Sequence, residues 1–165
     1  MDRAQLSKEQ LIAFSGQHLY YEITMFFGVK NLLKKDIEDF YVYSALLESM
    51  IIHGSVILDF FYKPPQKEDD ASALDYIDDI ARWKKLRPSY DKYFRKFHRR
   101  RSREVVHLSY KRMEVKDDER LWNMKKLTPH IKELVRVFMD VANPQLIHPK
   151  FYELKELIEE PQAHG

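Results

Sequence analysis

The 165-residue sequence contains no cysteine and only four glycines. Without cysteine, neither disulfide bonds nor thiolate metal sites can form, and nothing points to an oxidising compartment. Scarce glycine, together with 33% charged residues, is typical of long helices joined by few tight turns. The composition therefore predicts an all-α protein, and the length suits one domain with a substantial core.

Phosphate-loop and nucleophile motifs are also missing. Gly16, Gly28 and Gly54 all fall inside predicted helices, so no glycine-rich phosphate loop and no nucleophile elbow exists. These absences exclude NTPases, dinucleotide-dependent enzymes and serine hydrolases. We expect no cofactor.

Long uninterrupted hydrophobic runs are absent as well. The most apolar stretch, residues 40–62, is interrupted by Glu48, His53 and Asp59, so we expect no membrane-spanning segment. These three residues are spaced by five and six positions and do not share one helix face, so no metal site is predicted. The first 25 residues show no signal-peptide pattern. A soluble cytoplasmic protein is the expectation.

What is present is a helical period of apolar residues, which predicts a four- to five-helix bundle forming one domain over residues 1–165, with a core over about 8–142. The first helix is expected over about 8–34. It begins at a capping box of Ser7 and Gln10, and it buries His18 on its apolar face. Gly16 and Gly28 in this helix would allow a neighbouring helix to approach closely.

The remaining helices are predicted from cap and breaker residues. The second helix is expected to begin at an N-cap, Asp36, and to end before Pro64-Pro65. A polar loop over 63–72, a short helix over 75–83, and further helices starting at Ser89, Ser102 and Thr128 follow, with Pro129 in the first turn of the last of these. The helix over 103–113 would bury its apolar residues, namely Val105, Val106, Leu108 and Met113. An amphipathic tail over 150–159 either packs on the bundle or binds a protein partner.

Charge is distributed unevenly along the chain. Residues 82–103 contain eleven lysines and arginines against one acid, Asp91, whereas residues 68–79 contain six acids and no basic residue. This asymmetry indicates either a basic surface for a polyanion or two segments that attract each other.

Arginines cluster just ahead of a histidine in residues 99–110. If this stretch is one α-helix, Arg100, Arg103 and His107 lie on one face. A histidine that exchanges a proton near neutral pH, beside fixed positive charge, suits phosphodiester chemistry. The other interpretation is a buried histidine in a helix with a basic outer face.

Aromatic residues alternate with cations just before this cluster, at Tyr90, Phe94 and Phe97. Such a pattern binds single-stranded nucleic acid by stacking and charge, or places its aromatics in the core and its cations in water. The candidate nucleic-acid-binding residues are Arg95, Lys96, Arg99, Arg103 and Tyr110.

Three features together resemble the HEPN superfamily (higher eukaryote and prokaryote nucleotide-binding). They are an Arg-x(4–6)-His pattern at a helix start, the segments LLESMIIH (46–53) and LDFFY (58–62), and the segment VVHLSY (105–110) followed by Arg112. The likeness is to uncharacterised bacterial HEPN-related helical-bundle proteins, and it covers about residues 11–142.

The resemblance implies a homodimer whose two motif helices face each other, and a metal-independent endoribonuclease. In that scheme His107 is the general acid or base, and Arg101 or Arg100 holds the scissile phosphate; Arg101 leaves five intervening residues and Arg100 leaves six. The superfamily also has members that do not cleave. The alternative is therefore a non-catalytic module that binds RNA, a nucleotide or a protein partner through its basic face.

Overall fold

The computed structural model describes residues 6–67, 69–108, 110–115, 122 and 124–159. In these residues all regular structure is helical, which confirms the all-α prediction. The α-helices are α1 (Lys8–Phe14), α2 (Tyr20–Leu32), α3 (Phe40–Tyr62), α4 (Ile80–Leu86), α5 (Lys92–Arg101), α6 (Leu127–Val141) and α7 (Leu154–Glu159). Two π-helical turns, Ser15–Leu19 and Ser102–Val106, continue α1 into α2 and extend α5. Short 3-10 helices occupy Ala73–Tyr76, Tyr110–Glu114, Pro144–Leu146 and Pro149–Glu153.

The hydrophobic core lies where α2 and α6 pack against α3. Its centre is a set of fully buried rings, in which Phe61 and Phe138 meet edge to face at 5.3 Å between centroids. Trp83 of α4 is fully buried and packs against both rings, so it closes the bundle. Edge-to-face pairs place the positive ring edge on the negative face of the next ring, which favours this arrangement.

The first helix begins and ends close to its predicted bounds but contains the unexpected π-turn. The capping box is confirmed, because Ser7 Oγ accepts from the Gln10 N–H at 3.3 Å and Gln10 Oε1 accepts from the Ser7 N–H at 2.8 Å. A π-turn adds one residue to a helical turn and so rotates everything after it by about 100°. As a result His18 is exposed and Leu19 is buried. The prediction that His18 is a core residue is therefore wrong.

Gly16 explains how the π-turn fits against the rest of the molecule. A Cβ at this position would lie 2.6 Å from Cγ and 2.7 Å from Cβ of His148, so the predicted close approach is confirmed here, although the neighbour is a loop rather than a helix. A Cβ at Gly28 would meet no atom within 4 Å.

The two glycines are expected to respond to alanine in opposite directions. Gly16→Ala should lower the free energy of unfolding by about 2 kcal/mol through overpacking against His148. Gly28→Ala should raise it by up to about 1 kcal/mol through helix propensity. Urea denaturation of both variants measures the difference. A stabilising Gly16→Ala would contradict the close contact.

Three predicted helix starts are displaced along the chain. Asp39, not Asp36, caps α3, since its Oδ1 accepts from the N–H groups of Tyr41 and Val42. Asp91, not Ser89, caps α5 in the same way. Helix α6 begins at Leu127, with no side-chain cap at its start, rather than at Thr128.

The segments between the long helices differ more from the predictions. The helix expected over 75–83 is a 3-10 turn, Ala73–Tyr76, followed separately by α4. Ser102 is not an N-cap; it lies in helical conformation, and the chain continues through it as a π-turn. Val106, Leu108 and Met113 are exposed, at 50%, 93% and 78%, so the predicted burial of these residues is wrong.

The C-terminal tail packs back on the bundle. Helix α7 lies against α2, and Phe151, Leu154 and Ile158 are buried. This segment was expected either to pack on the bundle or to bind a protein partner, and its apolar face packs on the bundle.

Helix α3 has the length and composition of a membrane-spanning helix, with a mean hydropathy of 1.4 over its most apolar window, of which 44% is buried. Core helices of globular proteins share these properties. Because α3 packs against α2, α5 and α6, its position is that of a core helix.

Candidate nucleic-acid interface

A basic cleft of about 650 Å³ runs along α5 and the π-turn that follows it. Lys92, Lys96 and Arg99 follow one another at steps of four and three residues, so they share one face of α5. Arg103, from the π-turn, borders the same cleft. Lys111, from the 3-10 turn Tyr110–Glu114, also borders the cleft. The full lining is Lys92, Lys96, Arg99, Arg100, Ser102, Arg103, Lys111 and Glu114. Six basic residues therefore surround a cavity that has one acid in its wall.

Arg100 is held in place by two neighbours. Its Nε and one terminal nitrogen donate to the two carboxylate oxygens of Glu104, at 2.9 and 2.7 Å. Its guanidinium lies 4.1 Å from the ring centroid of Trp122. The two charged side chains are only 10% and 14% exposed. A bidentate pair of this kind is strong and directional, so Arg100 stabilises the end of α5.

His107 lies just past the end of the π-turn. Its backbone is extended, its N–H donates to the carbonyl of Ser102 at 3.0 Å, and its side chain is exposed. Arg112 Nε donates to the carbonyls of both Arg103 and His107, at 3.0 and 3.2 Å, which fixes the loop. Arg100, Arg103 and His107 were expected to share one face only if residues 99–110 formed an unbroken α-helix. The π-turn and the extended backbone at His107 interrupt that helix, so this condition is not met.

Arg101 follows His98 by three residues, so it lies on the side of α5 on which His98 contacts α3. Burial lowers the pKa of His98 below its usual value; Asp59 opposes this shift, and the charges of Lys63 and Arg101 add to it. The Arg101 Nε is buried without a hydrogen bond. In the part of the chain that the structure describes, no contact joins the His107 ring to Arg100 or Arg101.

The His98 ring also contacts two residues of α3, and sequence reasoning missed the group. Ser55 Oγ is 3.2 Å from Nδ1, and Asp59 Oδ1 is 3.2 Å from Nε2. The residue types match a hydrolytic triad. However, Ser55 is completely buried, so its hydroxyl cannot reach a substrate, and the group stabilises the α3–α5 contact instead.

The aromatic residues of α5, with Tyr90 just before it, belong mainly to the core. Phe94 and Phe97 are buried, and Tyr90 and Tyr93 are partly buried. The interpretation that places the aromatics inward is confirmed for these residues. Arg95 is exposed and donates to the Tyr90 carbonyl at 3.2 Å, but it does not line the cleft. Tyr110 is 88% exposed beside Lys111.

Five of the predicted site residues therefore line or adjoin the cleft: Lys96, Arg99, Arg100, Arg103 and Tyr110. Lys92 and Lys111 were missed. The regular spacing from Lys92 to Arg103 was a signal for the first of these. Lys111 had none, because it reaches the cleft through a turn that sequence periodicity does not predict.

The acidic segment lies elsewhere. Asp69, Asp70 and Asp75 line a separate cavity beside α1, and Asp78 accepts from Asn143 Nδ2 at 3.0 Å. Of the two readings of the charge asymmetry, this arrangement favours a basic surface for a polyanion. Among the described residues no group of three or more His, Asp and Glu side chains is arranged to hold a metal ion.

No family model matches the chain, and neither the curated proteins nor the solved structures include a significant match. Membership of the HEPN superfamily therefore stays a prediction, which depends on the three sequence segments that resemble it.

Proposed function

We propose that this protein binds single-stranded RNA in the basic cleft. The observation that carries the proposal is the row of cations Lys92, Lys96, Arg99 and Arg103 along the cleft, which Lys111 also borders, with Glu114 as the one acid in the lining. Regularly spaced cations along a groove match the repeated charge of a phosphate backbone.

Side chains beside the cleft favour a single strand over a duplex. Tyr110 projects into solvent next to Lys111, where its ring is available for stacking on an unpaired base. Val106, Leu108 and Met113, also exposed, add apolar surface around it. Together with Tyr110 these residues form what we call the apolar tip. Unpaired bases offer flat apolar faces to such a surface, whereas a duplex offers mainly phosphates.

The second candidate is the metal-independent ribonuclease that the HEPN resemblance implies. The observation in its favour is the exposed imidazole of His107, whose backbone is held by Arg112. Because Arg100 is already bonded to Glu104, Arg101 or another cation of the cleft would have to bind the scissile phosphate. A homodimer, a protein partner and a cytoplasmic location belong to the same hypothesis.

The binding proposal is tested by fluorescence anisotropy with a labelled oligouridylate and the full chain in EDTA. The double variant in which alanine replaces both Lys96 and Arg99 should bind the oligouridylate about tenfold more weakly at low salt. It should also flatten the slope of log affinity against log salt by about 1.4, since each phosphate contact on a single strand contributes ~0.7. The matched control replaces Lys84 and Lys85, two exposed cations of α4 outside the cleft lining.

Equal losses in the two double variants would indicate net charge rather than the cleft, and would contradict the proposal. Binding of vesicles rich in anionic lipid, in preference to RNA, would assign the apolar tip and its cations to a membrane surface instead. Shortening of the RNA in EDTA, abolished by His107→Ala, would establish the ribonuclease.

A further inference from the structure

Two adjoining cavities lie on the α1 side of the molecule. One, of about 280 Å³, is bordered by α1, the first π-turn and residues 69–76. The other, of about 450 Å³, is bordered by the same π-turn, α3 and residues 63–66. Phe14, His18, Asp70 and Ala71 line both, so the two cavities form one continuous depression, which we call the acidic groove.

The π-turn gives the groove its shape. Ser15 Oγ donates to the Ile12 carbonyl at 2.8 Å and accepts from the His148 N–H at 2.9 Å, while Gly16 lies directly against the His148 side chain. This inner side of the turn is therefore fixed. Because the turn holds one extra residue, Gln17 and His18 face outward and form a wall of the groove.

The groove interior is apolar and ordered. Tyr76 is buried, and its hydroxyl donates to the Leu11 carbonyl at 3.0 Å, so its ring is fixed in the lining. The Phe14 ring lies 5.2 Å from the His18 ring. Apolar lining comes from Leu6, Leu11, Phe14, Leu19, Val56, Ile57, Phe60 and Tyr76. Concave apolar cavities of about 300 Å³ and more, with a few polar groups, are typical of small-molecule sites.

The charges around the groove are nearly all negative. Its lining contains five carboxylates, from Glu22, Asp59, Asp69, Asp70 and Asp75, and one cation, Lys63. Lys63 is already paired with Asp59 at 2.8 Å. Asp70 is held facing the loop by the N–H groups of Gln66 and Lys67, at 2.8 and 3.0 Å. The net field at the apolar cavity therefore attracts a positive group and repels a negative one.

We propose that the acidic groove binds a small organic cation, in which an ammonium or guanidinium group is carried on an aromatic or aliphatic body. The apolar body enters the cavity beside Phe14 and Tyr76, and the charged group stays at the rim near Asp69 and Asp70. This site is separate from the basic cleft, since the two share no lining residue.

Three probes of similar shape test the charge requirement: phenethylamine, 2-phenylethanol and 3-phenylpropanoate, titrated into the full chain and followed by two-dimensional NMR. The amine should shift the amide signals of residues around Phe14 and Ala71 and bind about tenfold more tightly than the alcohol. The carboxylate should bind least. The preference for the amine should decrease as salt is raised.

Two alanine-to-phenylalanine variants test the position. Ala13 is exposed and lines the smaller cavity, so Ala13→Phe fills it, whereas Ala45→Phe places the same ring on an exposed position of α3 outside the groove. Only Ala13→Phe should abolish binding. Equal affinity for amine and alcohol, binding by Ala13→Phe as strong as by the unaltered chain, or no saturable shift with any probe would overturn the proposal.

Discussion

Replacing Arg100 with alanine is expected to lower the free energy of unfolding by about 3 kcal/mol, because Glu104 would keep its charge in a largely buried position without its bidentate partner. Arg103 compensates little, since its nearest nitrogen is 3.7 Å from the Glu104 carboxylate. Loss of the guanidinium from the face of Trp122 adds to the effect. For a protein of this size the melting temperature should fall by roughly 10 °C.

Arg99 offers a matched control one residue away. It lines the same cleft but is exposed, so Arg99→Ala should change the free energy of unfolding by less than about 0.5 kcal/mol. Replacing Arg100 and Glu104 together should recover part of the loss, because no unpaired buried charge remains. Thermal and urea denaturation measure all three variants.

This comparison also decides the role of Arg100. If Arg100 held a phosphate in the cleft, Arg100→Ala would leave stability unchanged and weaken RNA binding. If it stabilises the end of α5, stability falls, and below the transition RNA binding is lost less than in Arg99→Ala. A stability equal to that of the unaltered chain would remove the structural role inferred from the Glu104 and Trp122 contacts.

The sequence predicted the long helices well where an unbroken period marked them. The capping box at Ser7 and the end of α3 before Pro64-Pro65 are both found in the structure. These features depend on local hydrogen bonding or on strong apolar periodicity, both of which a single sequence contains.

The two π-turns account for the largest errors. A constant period of 3.6 residues places His18 with the core. In the structure the apolar side chains that pack on the core step from Phe14 to Leu19, a spacing of five that the π-turn produces. The second π-turn is followed by extended backbone at His107, so His107 leaves the helix on which a shared face with Arg100 depended. Both turns depend partly on distant contacts, His148 for the first and Arg112 for the second, which local propensity does not contain.

The sequence predicts part of the basic cleft. The spacing of the cations from Lys92 to Arg103 indicates a basic wall, but it does not show that Arg100 is bound by Glu104 and packed on Trp122. The helix caps show the same limit. Asp36 and Asp39 are both good N-cap residues, and the choice between them depends on where the α2–α3 connection lets α3 begin.

Acidification below pH 6.5 is expected to destabilise the protein through His130. This ring is partly buried between aromatic neighbours, with its centroid 3.8 Å from that of Phe94. Burial, only weakly opposed by Asp91, lowers the pKa of His130 to about 4. The Tyr62 hydroxyl donates its hydrogen to the Pro88 carbonyl at 2.5 Å, so the Nε2–H of His130 donates to the Tyr62 oxygen at 2.8 Å. The folded protein therefore holds the neutral ring with its proton on Nε2.

The direction of the pH dependence follows from the pKa of His130 in the unfolded chain, 6.5, and in the folded protein, about 4. Above pH 6.5 the ring is neutral in both states and contributes no pH dependence. Between pH 6.5 and pH 4 the unfolded chain takes up a proton that the folded protein does not, so stability decreases as pH falls. The slope approaches 1.4 kcal/mol per pH unit, which gives a loss of up to about 3 kcal/mol near pH 4. The lowered pKa of His98 acts in the same direction.

His130→Phe isolates this contribution. A phenyl ring keeps the stacking on Phe94 and leaves the Tyr62 hydroxyl bonded to Pro88, so no buried donor loses its partner. Urea denaturation at a series of pH values should show a flatter pH dependence between 6.5 and 4 for the variant than for the unaltered protein. NMR titration of the His130 ring provides the direct check. A midpoint near 6.5, or identical pH dependence in the variant, would mean that solvent reaches the ring and that burial does not keep it neutral.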